Sequence, residues 1–243
     1  MLKVFSDINE LSQYAANLFI ETADRSIAER GCFLAALSGG STPMRLYELL
    51  GNSFHDKVDW IHTHFFWGDE RCVPVEDAGN SYGQTKKVLL DKINIPDENI
   101  HRILSELEPD SAAREYARTL TLFAEPPLAW PRIDLTLLGM GDDGHTASLF
   151  PNSSVEVDSP TLAVTANYQG RPANRVTLTQ KVLNSSRNVL FLVIGKSKAV
   201  TLSRVLSDKY IPAELPAQRI APKDGNLIWL VDEEAGSLLD YSS

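Results

Sequence analysis

Leu137 to Pro151 reads L-L-G-M-G-D-D-G-H-T-A-S-L-F-P, an apolar strand that opens into three glycines, two aspartates and a histidine. His145 brings proton-transfer chemistry to this loop, because imidazole is the side chain whose unperturbed pKa lies near physiological pH. Gly139, Gly141 and Gly144 let the backbone take positive φ and approach a ligand closely. Thr146 and Ser148 stand where they would cap a helix just beyond. A string of glycines alone says little, so the weight falls on what the rest of the chain brings to it.

Two other loops carry matching chemistry. Ser38-Gly39-Gly40-Ser41-Thr42-Pro43 follows an apolar run. Its glycines expose backbone N–H groups, its hydroxyls add donors, and a helix starting at Pro43 with Thr42 as N-cap presents a positive dipole end, which together make a phosphate cradle. No Gly-Lys-Ser/Thr follows, so it is not a nucleoside-triphosphate loop. Trp67-Gly68-Asp69-Glu70-Arg71-Cys72-Val73-Pro74 is the second. In isolation D-E-R is a solvated ion cluster, but after a buried strand Arg71 can grip a phosphate through two hydrogen bonds and Asp69 can orient a sugar hydroxyl or share a proton. Downstream, Lys198 in G-K-S-K-A follows another apolar strand as an anion contact, better placed than Lys196. Arg175, at the head of R-V-T-L-T, reads by itself as a surface charge on an edge strand. His62 and His64 share a strand face without a Cys, Asp or Glu at companion spacing, so no metal site is expected. Cys32 and Cys72 fall at opposite strand ends and should neither pair nor ligate together. Trp60, Trp67, Trp130 and Trp229 read as core, His55 and His101 as surface.

The elements that must hold these loops alternate. Asp7 with Glu10 forms a capping box ahead of Leu11, Tyr14, Ala15, Leu18 and Phe19 at helical spacing. Cys32 to Leu37 has the continuous apolar pattern of a strand buried on both faces. Strands follow at Thr63 to Trp67, Ile133 to Leu138, Leu162 to Thr165, Arg175 to Leu178, Val189 to Ile194 and Leu227 to Val231. One helix starts at Pro43, carrying Leu46, Leu49 and Leu50, and others fall from Asn80 or Ser81 to Leu90, Asp110 to Phe123 and about Ser197 to Leu206. Strand alternating with helix predicts an α/β fold: a mostly parallel, doubly wound, Rossmann-like sheet with helices on both faces. In such sheets ligands gather beyond the carboxyl ends of the strands, where all of these loops lie. Neither proline-rich stretch is long enough for a linker and no repeat is present, so residues 1–243 read as a single domain.

The chain has 243 residues, 43% of them hydrophobic, and a formal charge of -9. That charge argues against nucleic acid or an anionic membrane as the main partner, and makes any anion site a matter of local basic groups. No apolar run approaches the roughly 20 residues that cross a bilayer. The stretch from Met1 to Glu10 has neither a basic nor an apolar leader segment, and with two cysteines the expectation is a reduced, cytoplasmic protein.

Taken in order, L-S-G-G-S-T-P, F-F-W-G-D-E-R-C-V-P with Asn80 shortly after, the Leu137 to Pro151 string, R-V-T-L-T-Q-K-V-L-N and G-K-S-K-A closely resemble the 6-phosphogluconolactonase family. A closing L-P-A-Q-R-I-A-P fits as well. The resemblance implies hydrolysis of 6-phosphoglucono-1,5-lactone to 6-phosphogluconate in the oxidative pentose phosphate pathway, with no metal and no organic cofactor. It implies that His145 acts on the hydrolytic water, that Arg71, Arg175 and Lys198 hold the phosphate, and that Ser38, Gly39, Gly40, Ser41, Thr42 and Asp69 line the sugar site, to which Asn80 and Gly141 are added. The mechanism expected is general-base catalysis, with Asp143 or Asp69 as the partner of His145 and loop N–H groups near Gly139 to Gly144 holding the oxyanion. The related glucosamine-6-phosphate deaminases are the alternative. They differ in reading M-D-E-Y and D-G-H-I-A-F-N-E-P at two of these loops, and Phe150 stands here at the position of their glutamate. A sugar-phosphate sensor is the remaining class, but no basic helix-turn-helix precedes Cys32. The oligomeric state, monomer or homodimer, is not legible.

Overall fold

The computed structural model describes residues 1–153 and 158–239. Its strands are β1 (Leu2–Phe5), β2 (Phe33–Leu37), β3 (Thr63–Trp67), β4 (Asp69–Arg71), β5 (Ile100–His101), β6 (Leu135–Leu138), β7 (Thr161–Thr165), β8 (Asn174–Leu178), β9 (Asn188–Val193) and β10 (Asn226–Asp232). The helices are α1 (Ile8–Arg30), α2 (Met44–Asn52), α3 (Ser81–Val88), α4 (Pro109–Thr121), α5 (Gln180–Ser185), α6 (Ala199–Val205) and α7 (Glu233–Gly236).

Seven strands form one parallel sheet in the order β1-β10-β9-β6-β2-β3-β5. Every residue of β2 and of β9 is buried, as their unbroken apolar runs require when helices cover both faces. Burying each Leu, Val or Phe side chain there contributes about 1.5–3 kcal/mol. The first helix starts where expected: Asp7 Oδ1 accepts the Asn9 and Glu10 amides, while the Glu10 carboxylate reaches back to the Ser6 amide. Gly31, at φ 81, ends it in the left-handed conformation that glycine adopts without strain.

The chain runs outward from β2 to β3 and β5, then returns past β2 to lay down β6, β9 and β10 on the other side. The connections after β2 and β6 therefore leave adjacent strands in opposite directions, and a crevice opens between them at the carboxyl ends.

The sequence did not announce a second sheet. Strands β4, β8 and β7 pair antiparallel in that order, apart from the main sheet. Gly68 makes the break: its N–H donates to Leu37 and its carbonyl accepts from Leu178, so the chain leaves the main sheet after Trp67 and D-E-R turns to pair with Asn174–Leu178. Helix α2 begins one residue later than read, with Pro43 rather than Thr42 at its N-cap. Thr146 and Ser148 cap no helix; the chain there bends through Ala147 at φ 48, and the Thr146 hydroxyl donates to the Gly139 carbonyl. His101 is not a free surface residue. It lies in β5 with its ring stacked on Phe66 at 4.6 Å and its Nε2 3.1 Å from His64 Nδ1. Burial, aided by the His64 charge, pulls its pKa down to about 4. Trp60, Trp67 and Trp229 are core, whereas Trp130 is half-buried with its indole N–H on Ser185.

Candidate active site

The crevice between β2 and β6 widens into a cleft of ≈ 380 Å³ bordered by the loops after β2, β6 and β9, by β4 and β8, and by the β7–β8 connection. Ser38, Gly39, Gly40, Ser41, Thr42, Asp69, Arg71, Gly141, His145, Arg175 and Lys198 all line it. Three loops far apart in sequence thus meet because the parallel strands β2, β6 and β9 end side by side, and the second sheet closes the cleft.

His145 is held from three directions. Its Nδ1 lies 2.6 Å from Asp143 Oδ1, which also accepts the His145 amide at 3.1 Å. The ring packs against Phe150 at 4.5 Å and meets the edge of Tyr168 at 4.6 Å. Burial acts to raise the Asp143 carboxyl, but the His145 hydrogen bond and charge outweigh it and hold it below the usual carboxylate range. Ionised Asp143 fixes the tautomer with hydrogen on Nδ1 and leaves Nε2 as the basic nitrogen. Gly141 is needed beneath the pair, because a Cβ there would sit 2.1 Å from His145 Nδ1 and 2.6 Å from Asp143 Oδ1.

Asp69, the other partner considered for His145, instead accepts the Ser148 hydroxyl at 2.6 Å. Glu70 faces away from the cleft and accepts the amides of Arg71, Ser81 and Tyr82, each at 2.7 Å, which ties the start of α3 to β4. Burial pushes its carboxyl up to about 7 against those three donors.

The cations divide into two kinds. Arg71 and Arg175 are direct cross-strand partners in the β4–β8 pair, and Arg175 is only 2% exposed, not an edge-strand surface charge. Like charges placed opposite one another are unfavourable, and burying them adds to the cost. Arg71 Nη1 donates to the Gly79 carbonyl and Arg175 Nε to Pro172, while Arg71 Nε and Arg175 Nη2 are buried without a partner among the described residues. The guanidinium of Arg175 also lies 5.2 Å over the Phe150 ring, which packs against His145 and Tyr168 as well. Burial pulls the Arg175 guanidinium below its usual value, with Asp69 opposing and Arg71 and Arg171 adding to the shift. Such a pair attracts an anion by electrostatics, since an anion placed between them would offset the repulsion and accept from the unmet donors. Lys198 differs, because its ammonium is 2.7 Å from Asp142 Oδ1 and already has a carboxylate partner.

Asn80 does not line the cleft, against the expectation that it touches substrate. Its Oδ1 accepts the Gly83 amide and its Nδ2 donates to Val73 and Ser105, so its side chain is spent on capping α3. The expected oxyanion donors are also partly engaged: the amides of Gly141, Asp142, Gly144 and His145 bond within the loop or to Tyr168. Tyr168, Gln169 and Arg171 border the cleft without having been singled out from sequence. Their only signal was Gly170-Arg171-Pro172, a turn carrying a cation. Among the described residues no three His, Cys, Asp or Glu side chains are grouped to hold a metal ion, and no helix is long and apolar enough to cross a membrane. A larger cleft of ≈ 600 Å³ opens beside α5, but it lacks a histidine–carboxylate pair and its Arg132 is spent on the carbonyls of Ser185 and Asp224.

The family model described as glucosamine-6-phosphate isomerases/6-phosphogluconolactonase matches residues 6–229. A 6-phosphogluconolactonase of Synechocystis sp. is 40% identical over 88% of each chain. Probable 6-phosphogluconolactonase 1 of Arabidopsis thaliana is 36% identical over 98% of this chain and 93% of its own. The crystal structure of 6-phosphogluconolactonase from Thermotoga maritima superposes with a TM-score of 0.84 at 29% identity, covering 96% of this chain and 99% of that one.

Proposed function

The chain belongs to the glucosamine-6-phosphate isomerase/6-phosphogluconolactonase family, and from that membership we propose how its cleft works. The activity is hydrolysis of 6-phosphoglucono-1,5-lactone to 6-phosphogluconate, a step of the oxidative pentose phosphate pathway. The observation that carries the mechanism is that one cleft joins a histidine–aspartate pair to two cross-strand arginines, Arg175 buried and Arg71 half-buried, each with a buried donor unmet among the described residues.

In our reading Arg71 and Arg175 take the phosphate, with Lys198 beside them, and the lactone carbonyl lies toward His145. Asp143 keeps Nδ1 protonated, so Nε2 accepts a proton from water as its oxygen attacks C1. The tetrahedral intermediate collapses by expelling the ring oxygen, which takes the proton back from the imidazolium and leaves as an alcohol. One water is consumed and no net proton remains on the enzyme. The Ser38 to Thr42 loop, Gly141 and Asp69 border the sugar. The whole chain acts as one domain, and its acidic charge and unpaired cysteines favour the cytoplasm as its location.

The deaminase alternative is tested directly. Incubated with glucosamine 6-phosphate, the protein should release no ammonia above background while it consumes 6-phosphogluconolactone faster than the spontaneous rate. Ammonia release at a rate comparable to lactone loss would reverse the assignment.

A further inference from the structure

The connection between β7 and β8 ends in a tight tip. Gln169 and Gly170 have φ of 49° and 65°, and the Arg171 amide closes the turn onto the Tyr168 carbonyl. Two successive positive φ values make the turn whose twist suits an antiparallel hairpin, and a glutamine adopts one only at some cost. The neighbouring loop holds the tip down. The Asp142 amide donates to Tyr168 Oη at 3.1 Å and Asp142 Oδ2 accepts Gln169 Nε2 at 2.9 Å, while Oδ1 takes Lys198 and Ser197. Its carbonyl accepts the Thr201 hydroxyl. One aspartate thus ties the hairpin tip to the start of α6 around the loop that carries His145.

The tip brings Arg171 to the cleft wall. Arg171 is exposed, and no carboxylate pairs with it among the described residues, in contrast to Lys198. It lies four residues before Arg175 on the same hairpin, both line the cleft, and its charge acts on the Arg175 guanidinium. We propose that Arg171 is a further specificity residue, a third guanidinium that the 168–171 tip carries to the substrate's phosphate, with Asp142 as the positioning residue that holds the tip.

This rests on the reading of Arg175 as a phosphate contact, and the test separates the two. Steady-state kinetics are measured for Arg171→Ala, Arg171→Lys, Asp142→Ala and Arg175→Ala on 6-phosphogluconolactone and on unphosphorylated gluconolactone, with melting curves for each. Arg171→Ala should raise KM for the phosphorylated lactone about five- to thirty-fold with kcat within about three-fold, the scale of one exposed charge-assisted contact. Arg171→Lys should recover part of that loss, and the salt dependence of kcat/KM should be shallower in Arg171→Ala. Asp142→Ala should shift KM in the same direction, and adding Arg171→Ala to it should cost less than Arg171→Ala costs alone. If Arg175→Ala lowers the preference for the phosphorylated lactone and Arg171→Ala does not, the role of Arg171 is overturned while the phosphate site stands. If neither variant alters that preference, both are overturned. A tighter KM in Asp142→Ala would mean that Asp142 repels substrate, and would overturn its positioning role.

Discussion

The two edges of the main sheet use arginine in opposite ways. At the amino edge Asp134, 2% exposed, accepts Arg30 at 3.0 Å, Arg187 at 3.1 Å and the Leu34 amide at 2.9 Å, so each guanidinium meets a carboxylate. At the carboxyl edge Arg71 and Arg175 face each other with donors unmet. The satisfied cluster ties β2 to β6 and holds the fold closed. The unsatisfied one has no reason to persist for the fold's sake, since like charges brought together and buried only weaken it. What it offers is pre-organised attraction for an anion, in a protein whose overall charge of -9 would otherwise repel one.

That contrast can be broken at its catalytic end first. His145→Ala should lower lactone hydrolysis about 10²- to 10⁴-fold, measured against the spontaneous background, with KM little changed. Turnover within a few-fold of wild type would remove His145 as the base.

The arginine comparison gives the next largest effect. Arg175→Ala should lower kcat/KM for 6-phosphogluconolactone about ten- to a hundred-fold and shrink the preference over the unphosphorylated lactone by a similar factor. Asp134→Asn should do the reverse, costing about 1.5–3 kcal/mol in denaturant unfolding with kcat/KM within about two-fold of wild type. Equal kinetic losses in the two variants would erase the distinction between the edges.

The smallest effect expected is one of pH, away from both clusters. His101 is held near 4 when folded and titrates near 6.5 when unfolded, so the unfolded chain binds more protons between those values. Stability is therefore intact above pH 6.5 and declines as pH falls toward 4. His64, also held down by burial, adds to the decline. His101→Phe should flatten the fall in Tm over that window. An unchanged slope would assign the acid sensitivity to other groups.

Much of this was readable from sequence, for identifiable reasons. Unbroken apolar runs such as Phe33–Leu37 fixed the parallel sheet, and glycine-bearing strand ends marked where a ligand would sit. Taken by its local pattern alone Arg175 read as a surface charge, because β4 is three residues long and its antiparallel partnership leaves no periodic trace. Asn80 was overestimated because a helix cap and a substrate contact call for the same side-chain chemistry. The pairing of Lys198 with Asp142, 56 positions away, depends on how two loops cross, which no local pattern encodes.

The register of β4 on β8 also bears on how this chain can change length over evolutionary time. Because successive strand residues point to opposite faces, one residue inserted between Gly68 and Arg71 would set the arginine opposite Asn174 and turn its side chain to the other face. The phosphate contact proposed for Arg71 would be lost in a single step, with no substitution at any residue proposed to touch substrate. Extra residues at the 168–171 turn would leave that register untouched. Descendants of this chain should accordingly keep the spacing from Gly68 to Arg71 fixed, and a change in the length of the tip should cost only the Arg171 contact proposed above.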